Sequence, residues 1–266
     1  MDLGLKDATA IIIGGGRGMG LATAHCLADD GARVALVGRT ADVLDKAATE
    51  LSDRGSPDAL GLVADTGDAA AVQRVFDEIG ERWNCELNVL INAVGPGTRG
   101  TFDDLTDEQW REAFDDGVMG MVHCVRSALP LLRNAQWAAR IVNFSAHSTQ
   151  RQTVILPAYT AAKAALTSIS KNLSLLLAPD EIMVNVVSPG SVASEALVGW
   201  AQSVGVDGGD TYALMAAITE HFGHPAHLPR AGLPDEIGPV VAFLASRRNS
   251  HMTGVNINGD GGSDFT

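Results

Sequence analysis

The chain has 266 residues, of which 46% are hydrophobic and 19% charged, the balance of a globular protein. The net charge of −13 argues against a nucleic-acid partner, because phosphate contacts need lysine and arginine. No apolar run is long enough to span a bilayer and no secretory signal is visible, so we expect a cytoplasmic protein without membrane contact.

Short apolar runs rich in β-branched residues alternate along the chain with segments of helical period. The predicted strands are Thr9–Ile13, Arg33–Val37, Ala59–Val63, Leu87–Ile91, Arg140–Ser145, Met183–Val187 and Val255–Ile257. The predicted helices are Gly18–Asp29, Ala41–Arg54, Ala69–Trp83, Asp107–Leu132, Tyr159–Leu177 and Pro234–Ala245. This alternation predicts an α/β fold: one doubly wound, Rossmann-type domain over 1–266, with about seven parallel strands and helices on both faces.

One long region, Ser191–Leu233, follows neither pattern and contains a glycine-rich stretch and a segment rich in histidine and proline. An insertion of this size in a compact α/β domain is usually a functional lid or a disordered segment. We favour a substrate-binding lid over 191–233.

The first predicted strand runs into a glycine-rich turn, and a helix follows. The turn reads Gly14-Gly15-Gly16-Arg17-Gly18-Met19-Gly20. Glycines let the backbone approach a pyrophosphate, and the helix N-terminus offers unpaired N–H groups and a positive dipole. A tight turn without a ligand would also use glycines, but the place of this turn in the first βα unit favours dinucleotide binding.

The end of the second predicted strand bears on the choice of cofactor. A carboxylate there would accept a hydrogen bond from the adenosine ribose and repel a 2′-phosphate, whereas an arginine does the opposite. Gly38 stands at the acidic position, Arg39 follows it, and Arg17 lies in the nearby glycine turn. The two arginines favour NADP(H) over NAD(H), unless both are simply solvated.

From about Leu5 to Gly262 the chain resembles the short-chain dehydrogenase/reductase family. The matching motifs, in chain order, are Gly14-x-x-x-Gly18-x-Gly20, Asp65, Asn92-Ala93-Val94-Gly95, Tyr159-x-x-x-Lys163, Asn185–Gly190 followed by Ser194, and Gly259-Asp260-Gly261-Gly262. The resemblance implies hydride transfer between a nicotinamide cofactor and a ketone or secondary alcohol. Together with the two arginines, it predicts cofactor binding by Gly14, Arg17, Gly18, Met19, Gly20, Arg39, Asp65, Asn92, Tyr159, Lys163, Pro189, Gly190, Val192 and Ser194, and it implies that Asp65 lies at the adenine ring.

Tyr159 and Lys163 are four residues apart and therefore share one face of a helix. An ammonium about 4 Å from a phenol would lower its pKa from about 10 by roughly 3 units at most. We therefore expect Tyr159 to act as acid or base near physiological pH. The resemblance also implies that Lys163 holds the hydroxyls of the cofactor ribose.

Two positions depart from the family pattern. The family serine, thirteen residues before the tyrosine, is Ala146 here, and the family asparagine, seven residues after Trp110, is Gly117. A glycine inside a helix costs about 1 kcal/mol relative to alanine, so we do not expect Gly117 to serve stability.

A substrate oxygen that gains negative charge needs a second hydrogen-bond donor beside Tyr159, which Ala146 cannot supply. Side chains alternate along a strand, so Ser148 shares the direction of Ala146, whereas Ser145 and His147 do not. Ser148 is the predicted donor. Ser145, a water molecule and the substrate itself are the alternatives, and Ser148 could instead only cap the turn.

The leading functional hypothesis is an NADP(H)-dependent reductase or dehydrogenase. The alternative is a cofactor-binding protein with weak or no turnover that acts as a sensor or partner subunit, as Ala146 and Gly117 would suggest. An enoyl reductase is disfavoured, because those relatives usually space the tyrosine and lysine more widely than Tyr159 and Lys163. The apolar lid residues, which could also simply pack the lid, predict a hydrophobic substrate such as a steroid-like ring or an acyl chain: Leu197, Trp200, Tyr212, Leu214, Met215 and Phe222.

No metal site is predicted. His221, His224 and His227 have a suggestive spacing, but no carboxylate or cysteine clusters with them, and two prolines, Pro225 and Pro229, break a helical ligand face. The three cysteines are scattered without a Cys-x-x-Cys spacing, so no disulfide framework is predicted.

The fourth and fifth predicted helices carry apolar residues beyond one sheet-facing stripe, which suggests burial on a second side. The positions concerned are Met119, Val122, Val125, Leu166, Ile169, Leu173 and Leu176. The resemblance implies that these helices pair across a two-fold axis, so a homo-oligomer, tetramer or dimer, is expected.

Overall fold

The computed structural model describes residues 2–223 and 225–263 of the chain. Its strands are β1 (Thr9–Ile13), β2 (Arg33–Gly38), β3 (Ala59–Val63), β4 (Val89–Asn92), β5 (Arg140–Phe144), β6 (Met183–Pro189) and β7 (Asn256–Gly259). They form one seven-stranded sheet in the order β3-β2-β1-β4-β5-β6-β7. Every neighbouring pair is parallel. The predicted α/β fold with a doubly wound parallel sheet is confirmed.

Helices flank the sheet on both faces. They are α1 (Gly18–Asp29), α2 (Ala41–Asp53), α3 (Ala69–Arg82), α4 (Asp107–Phe114), α5 (Gly120–Arg133), α6 (Pro157–Leu176), α7 (Glu195–Ser203), α8 (Thr211–Phe222) and α9 (Pro234–Ala245). The single helix predicted over Asp107–Leu132 is wrong in one respect, because a π-helical turn at Asp115–Met119 separates α4 from α5. Such turns are common at functional sites.

The core consists of two apolar layers, one on each face of the sheet. Strand β1 is buried along its whole length, with Ile12 facing α1, α2 and α9, and with Ile11 and Ile13 facing α3, α5 and α6. Burial on both faces explains why the strands read as continuous apolar runs. Within the part of the chain that the structure describes, no helix is long and apolar enough to cross a membrane.

The region predicted to lack a pattern, Ser191–Leu233, contains the two short helices α7 and α8. They pack around a small apolar cluster of their own, which includes Leu214, Met215 and Ile218. A backbone hydrogen bond from Ala193 N to Gly232 O, at 2.8 Å, ties the two ends of the region together. Its interpretation as a substrate lid remains a proposal.

Most of the seven apolar positions that were predicted to lie beyond the sheet-facing stripe of the fourth and fifth helices pack against the sheet. Val125 and Leu166 are buried in the core, and Val122, Ile169 and Leu173 pack partly against it. Only the side chains of Met119 and Leu176 are exposed, because the stripe that each helix turns toward the sheet is wider than the spacing suggested.

Candidate active site

A cleft of about 560 Å³ lies at the carboxyl ends of β1 and β4. Since β2 and β3 lie on one side of β1 and β4 on the other, this is the topological switch point at which doubly wound folds bind their ligands. The cleft is lined by Ile13, Gly14, Gly16, Arg17, Val37, Gly38, Arg39, Thr40, Val43, Leu44, Ala64, Asp65, Thr66, Ala93, Val94, Gly95, Asp116 and Ala196.

The glycine turn is folded tightly on one side and open on the other. A Cβ on Gly20 would lie 2.3 Å from the carbonyl oxygen of Gly14, and a Cβ on Gly14 would lie 2.8 Å from that of Ala93. Gly18 has φ +53°, and a Cβ there would meet nothing within 4 Å. The space over the start of α1 therefore fits the close approach of a pyrophosphate to backbone N–H groups.

Two carboxylates and one arginine stand at the far end of the cleft. Asp65 follows β3, and its Oδ1 accepts a hydrogen bond from Gly67 N at 2.9 Å. Asp116 lies on the π-helical turn; burial and the nearby charge of Asp65 raise the pKa of Asp116, while Arg39 opposes the rise. The sequence motifs did not indicate Asp116, because its place in the cleft depends on the π-helical turn.

The two arginines of the predicted phosphate site differ in their partners. Arg17 forms an ion pair with Glu195 of α7, with 2.5 Å between Nη1 and Oε2. Arg39 lines the cleft and has no hydrogen bond or ion pair to a residue that the structure describes. A phosphate would therefore meet Arg39 without competition, but would compete with Glu195 for Arg17.

Lys163 lies in the second turn of α6, and its side chain reaches the wall of the cleft. It is 3% exposed, and its Nζ donates to the carbonyl oxygens of Val94 at 3.0 Å and Phe144 at 2.7 Å. A Cβ on Gly95 would lie 2.6 Å from this Nζ, so the end of the lysine passes directly beside the backbone of the turn after β4. Burial lowers the pKa of Lys163 to about 8.

Tyr159 lies one turn before Lys163 on α6. Burial raises its pKa to about 12, and the only opposing effect is the charge of Arg99. The expected lowering of this pKa by Lys163 is not seen in this structure, where burial disfavours the phenolate and Arg99 is the charge that opposes the rise. A phenol with this pKa keeps its proton at neutral pH, so it is suited to act as an acid.

A second, apolar pocket of about 150 Å³ lies next to this part of α6. Its lining residues are Arg99, His147, Thr153, Ile155, Leu156, Gly190, Ser191, Leu197, Ile218 and Phe222. It thus joins the loop after β4, the turn after β5, the Pro-Gly segment after β6 and the region of α7 and α8. Motifs had indicated only Gly190 from this set as a site residue, with Leu197 and Phe222 as apolar lid residues.

Gly190 and Ser194 have structural explanations in the segment after β6. A Cβ on Gly190 would lie 2.6 Å from Cα of Asp260, so the Pro-Gly segment packs directly on the C-terminal Asp-Gly-Gly motif. Ser194 caps α7 by accepting from Leu197 N at 3.4 Å. Val192 is buried and pairs with Gly232, while Pro189 closes β6.

Asn92 and Met19 do not line the cleft. Asn92 is buried behind it, where its Nδ2 donates to Asn143 Oδ1 at 2.8 Å and its own Oδ1 has no partner among the described residues. Met19 packs partly against the core. The structure thus places these two predicted cofactor residues in supporting positions.

Of the three histidines weighed as metal ligands, His224 lies outside the described residues, and the ring of His221 packs against that of Trp200 with centroids 5.6 Å apart.

Comparison with known proteins agrees with this geometry. The family model described as Enoyl-(Acyl carrier protein) reductase matches residues 14–264. Meso-2,3-butanediol dehydrogenase of Serratia marcescens is 30% identical over 97% of this chain and 94% of its own length. The NADP-dependent (R)-specific alcohol dehydrogenase of Lentilactobacillus kefiri is 29% identical, with 97% of each chain covered. L-sorbose reductase of Gluconobacter frateurii, solved with NADPH and L-sorbose, superposes with a TM-score of 0.92 over all of both chains at 28% identity.

The chain belongs to the short-chain dehydrogenase/reductase family. It is an NAD(P)-dependent oxidoreductase of this family, a class that acts on CH–OH groups.

Ala146 stands at the position of the family serine, and the three polar residues around it have different surroundings. Ser145 turns toward α6, where its Oγ lies 2.7 Å from Thr167 Oγ1. Ser148 is 2% exposed, and its Oγ accepts from Thr160 Oγ1 at 3.1 Å. His147 is the one of the three that lines the apolar pocket, with Nδ1 3.2 Å from the carbonyl oxygen of Pro189.

Gly117, at the position of the family asparagine, is explained by packing. It is buried in the π-helical turn, and a Cβ there would lie 2.9 Å from Cβ of Ala162 and 3.0 Å from Cδ of Pro96. The expectation that Gly117 does not serve stability is therefore wrong: the glycine lets α6 and the loop after β4 approach each other.

Proposed function

We propose that this protein reduces a small apolar ketone at the expense of NADPH, with Tyr159 as the acid. The observation that carries the proposal is that two residues of α6, Lys163 and Tyr159, are each linked to one of the two cavities. Lys163 Nζ bonds to the wall of the cofactor cleft at Val94, and Arg99 of the apolar pocket acts on Tyr159 electrostatically. A ketone in the pocket would be close to the loop that carries Arg99, whose charge acts on the Tyr159 phenol.

Tyr159 and Lys163 have distinct roles in this proposal. When bound, the nicotinamide supplies the hydride. Tyr159, protonated at neutral pH, donates its proton to the carbonyl oxygen as the alcohol forms. Lys163 fixes the turn after β4 through Val94 and holds the ribose hydroxyls of the cofactor.

The preference for NADPH rests on Arg39 and the start of α2. Thr40 precedes the helix and makes no side-chain cap, so the first N–H groups of α2 have no side-chain acceptor. A 2′-phosphate would accept from these groups and pair with the Arg39 guanidinium. The NADP-dependent relative and the NADPH-bound sorbose reductase support the same choice.

Exchange of one glycine tests this preference. A Cβ on Gly38 would make only an ordinary contact, 3.4 Å from Leu44 Cδ2, so the backbone there has room for the Cβ of an aspartate in Gly38→Asp. The introduced carboxylate would repel the 2′-phosphate and accept from the ribose hydroxyl of NAD. We expect the ratio of kcat/KM for NADPH over NADH to fall at least about tenfold. Equal efficiency with both cofactors in the native protein would refute the preference.

The pocket also bears on substrate size. Pockets for drug-sized ligands usually measure roughly 300–1,000 Å³, whereas this one measures about 150 Å³. Its aliphatic wall of Ile155, Leu156, Leu197 and Ile218 supports a short-chain or small-ring substrate over a steroid-like one.

For the second donor we retain Ser148, with His147 as the alternative. The Ser148 hydroxyl accepts from Thr160 and keeps its own hydrogen to donate. If the Nδ1–H of His147 donates to Pro189, its Nε2 donates only from the protonated ring. Loss of one preorganised donor costs about 10²–10³ in turnover, so Ser148→Ala and His147→Gln should differ by that factor.

The proposed reduction is tested by NADPH consumption with a panel of small ketones. The chain has two tyrosines, and Tyr212, exposed on α8, provides the matched control. Tyr159→Phe should lower kcat at least about 100-fold and change NADPH affinity far less, whereas Tyr212→Phe, whose ring is exposed and lines neither cavity, should keep the native rate. Tight NADPH binding without turnover of any ketone would favour the alternative, a cofactor-binding sensor or partner subunit.

We also propose that the protein is a homo-oligomer located in the cytoplasm. The exposed side chains of Leu175 and Leu176 at the end of α6 support a contact between copies there.

A further inference from the structure

Arg99 lies at the wall of the apolar pocket, on the loop that follows β4. The next residue, Gly100, has φ +154°, and its N–H donates to the carbonyl oxygen of Ile155 at 3.0 Å. A Cβ at this glycine would lie 2.9 Å from Leu105 Cδ2. The loop is therefore held against Ile155, itself a pocket residue, and this contact places Arg99 at the pocket.

Arg99 is an exposed side chain without an ion-pair partner among the described residues. The chain has 32 acidic and 19 basic residues, and seven of its fifteen arginines form ion pairs within the described part of the chain. Arg99 forms no hydrogen bond or ion pair with a described residue, and no carboxylate lines its pocket. Its charge is felt at Tyr159, where the proton is to be transferred.

We propose that Arg99 binds a carboxylate of the substrate, which makes the substrate a small apolar oxo acid rather than a neutral ketone. The proposal rests on the function proposed above and specifies its substrate class. A planar guanidinium matches the two oxygens of a carboxylate, and the aliphatic side chains of the same pocket fit the apolar part of such a substrate. A carboxylate carries one negative charge, which one arginine can balance. A phosphate dianion would bring two charges to a single arginine in a protein of net charge −13.

The binding test uses the NADPH-loaded protein and two probes of equal size, butyrate and butyramide. We expect butyrate to bind at least about tenfold more tightly than butyramide, the effect of a charged hydrogen bond. Arg99→Met should abolish this preference without changing NADPH affinity. Arg74→Met, which removes an exposed arginine of α3, is the matched control and should keep the preference.

The proposal is overturned if the native protein binds the two probes equally, or if Arg99→Met leaves the preference intact. It is also overturned if Arg99→Met weakens NADPH binding as much as butyrate binding, because Arg99 would then serve the cofactor.

A turnover test separates this proposal from the function on which it rests. The paired substrates are acetoacetate and its methyl ester, with NADPH consumption as the readout. We expect kcat/KM for the acid to exceed that for the ester at least about tenfold, and we expect Arg99→Met to abolish this difference by raising KM for the acid. Reduction of the ester alone would overturn the role of Arg99 and leave ketone reduction standing. A butyrate preference that depends on Arg99, without reduction of either compound, would support the anion site and count against the reductase.

Discussion

At the scale of single residues, burial sets the protonation states at the site. The phenol of Tyr159 and the ammonium of Lys163 are both disfavoured in their charged forms, with pKa values of about 12 and about 8. The first value keeps the tyrosine protonated throughout the usual pH range, which suits reduction. The second value means that Lys163 loses its positive charge near pH 8, just above neutrality.

The first prediction concerns the pH dependence of reduction. Because the pKa of Lys163 is lowered to about 8, its ammonium is present below that pH and is lost above it. Tyr159 remains protonated to about pH 12 and does not limit the rate in this range. We expect kcat for reduction to be level below about pH 8 and to fall by up to about tenfold per unit above it. A profile that stays level to pH 10 would contradict this assignment.

The second prediction concerns two helical glycines in opposite surroundings. Gly117 packs against Ala162 and Pro96, whereas a Cβ on Gly199 of α7 would meet nothing within 4 Å. Gly117→Ala should lower the free energy of unfolding by about 1–3 kcal/mol through overpacking. Gly199→Ala should raise it by about 0.4–1 kcal/mol. Denaturant titration measures the free energy of unfolding of both variants. A Gly117→Ala protein as stable as the native one would contradict the prediction, because the loop after β4 would then shift to make room for the methyl group.

At the scale of elements, the functional site is assembled from the ends of strands and the starts of helices. Helix α1 begins over the cleft, α6 carries Tyr159 and Lys163, and α7 reaches back across the cleft to the glycine turn. The ion pair of Arg17 with Glu195 links α7 to that turn. Both side chains are more than half exposed, so the pair is weak by itself.

The third prediction concerns this ion pair. Glu195→Gln removes the carboxylate that competes with the cofactor phosphates for Arg17, so NADPH should bind more tightly. Exposed pairs contribute about 0.2–1 kcal/mol, which corresponds to a gain of up to about fivefold at low salt and less at high salt. Glu220→Gln on α8 is the control and should bind NADPH as the native protein does. Weaker binding by Glu195→Gln would mean that the contact holds α7 over the cofactor.

At the scale of the whole molecule, the acidic surface and the exposed apolar side chains bear on assembly. The net charge of −13 opposes non-specific association. Leu175 and Leu176 are 68% and 64% exposed at the end of α6, so a specific contact there would bury apolar surface that the single chain leaves in water.

The fourth prediction is that the protein is a closed homo-oligomer, dimer or tetramer, at micromolar concentration. Leu176→Asp should lower the mass measured by light scattering, because the charge would be buried without a partner. Val63→Asp on the edge strand β3, where the side chain is also exposed, should leave the mass unchanged. A monomeric native protein would contradict the prediction.

The sequence by itself determined the fold and the outline of the site. Strand and helix periods are local properties, and so is the glycine turn after β1, which explains why β1 and α1 match their predicted ranges. The same holds for Tyr159 and Lys163, whose spacing on one helix places them together whatever surrounds them.

The tertiary structure decided what depends on contacts between distant segments. Asp116 reaches the cleft through a π-helical turn, and Arg17 is paired with a residue 178 positions away. Arg99 is placed by a hydrogen bond between loops, and Gly117 is required by the approach of Ala162. Even the pKa of Tyr159 followed burial rather than its neighbour on the helix. Spacing along the chain specifies which residues can meet, but desolvation and packing depend on everything that closes around them.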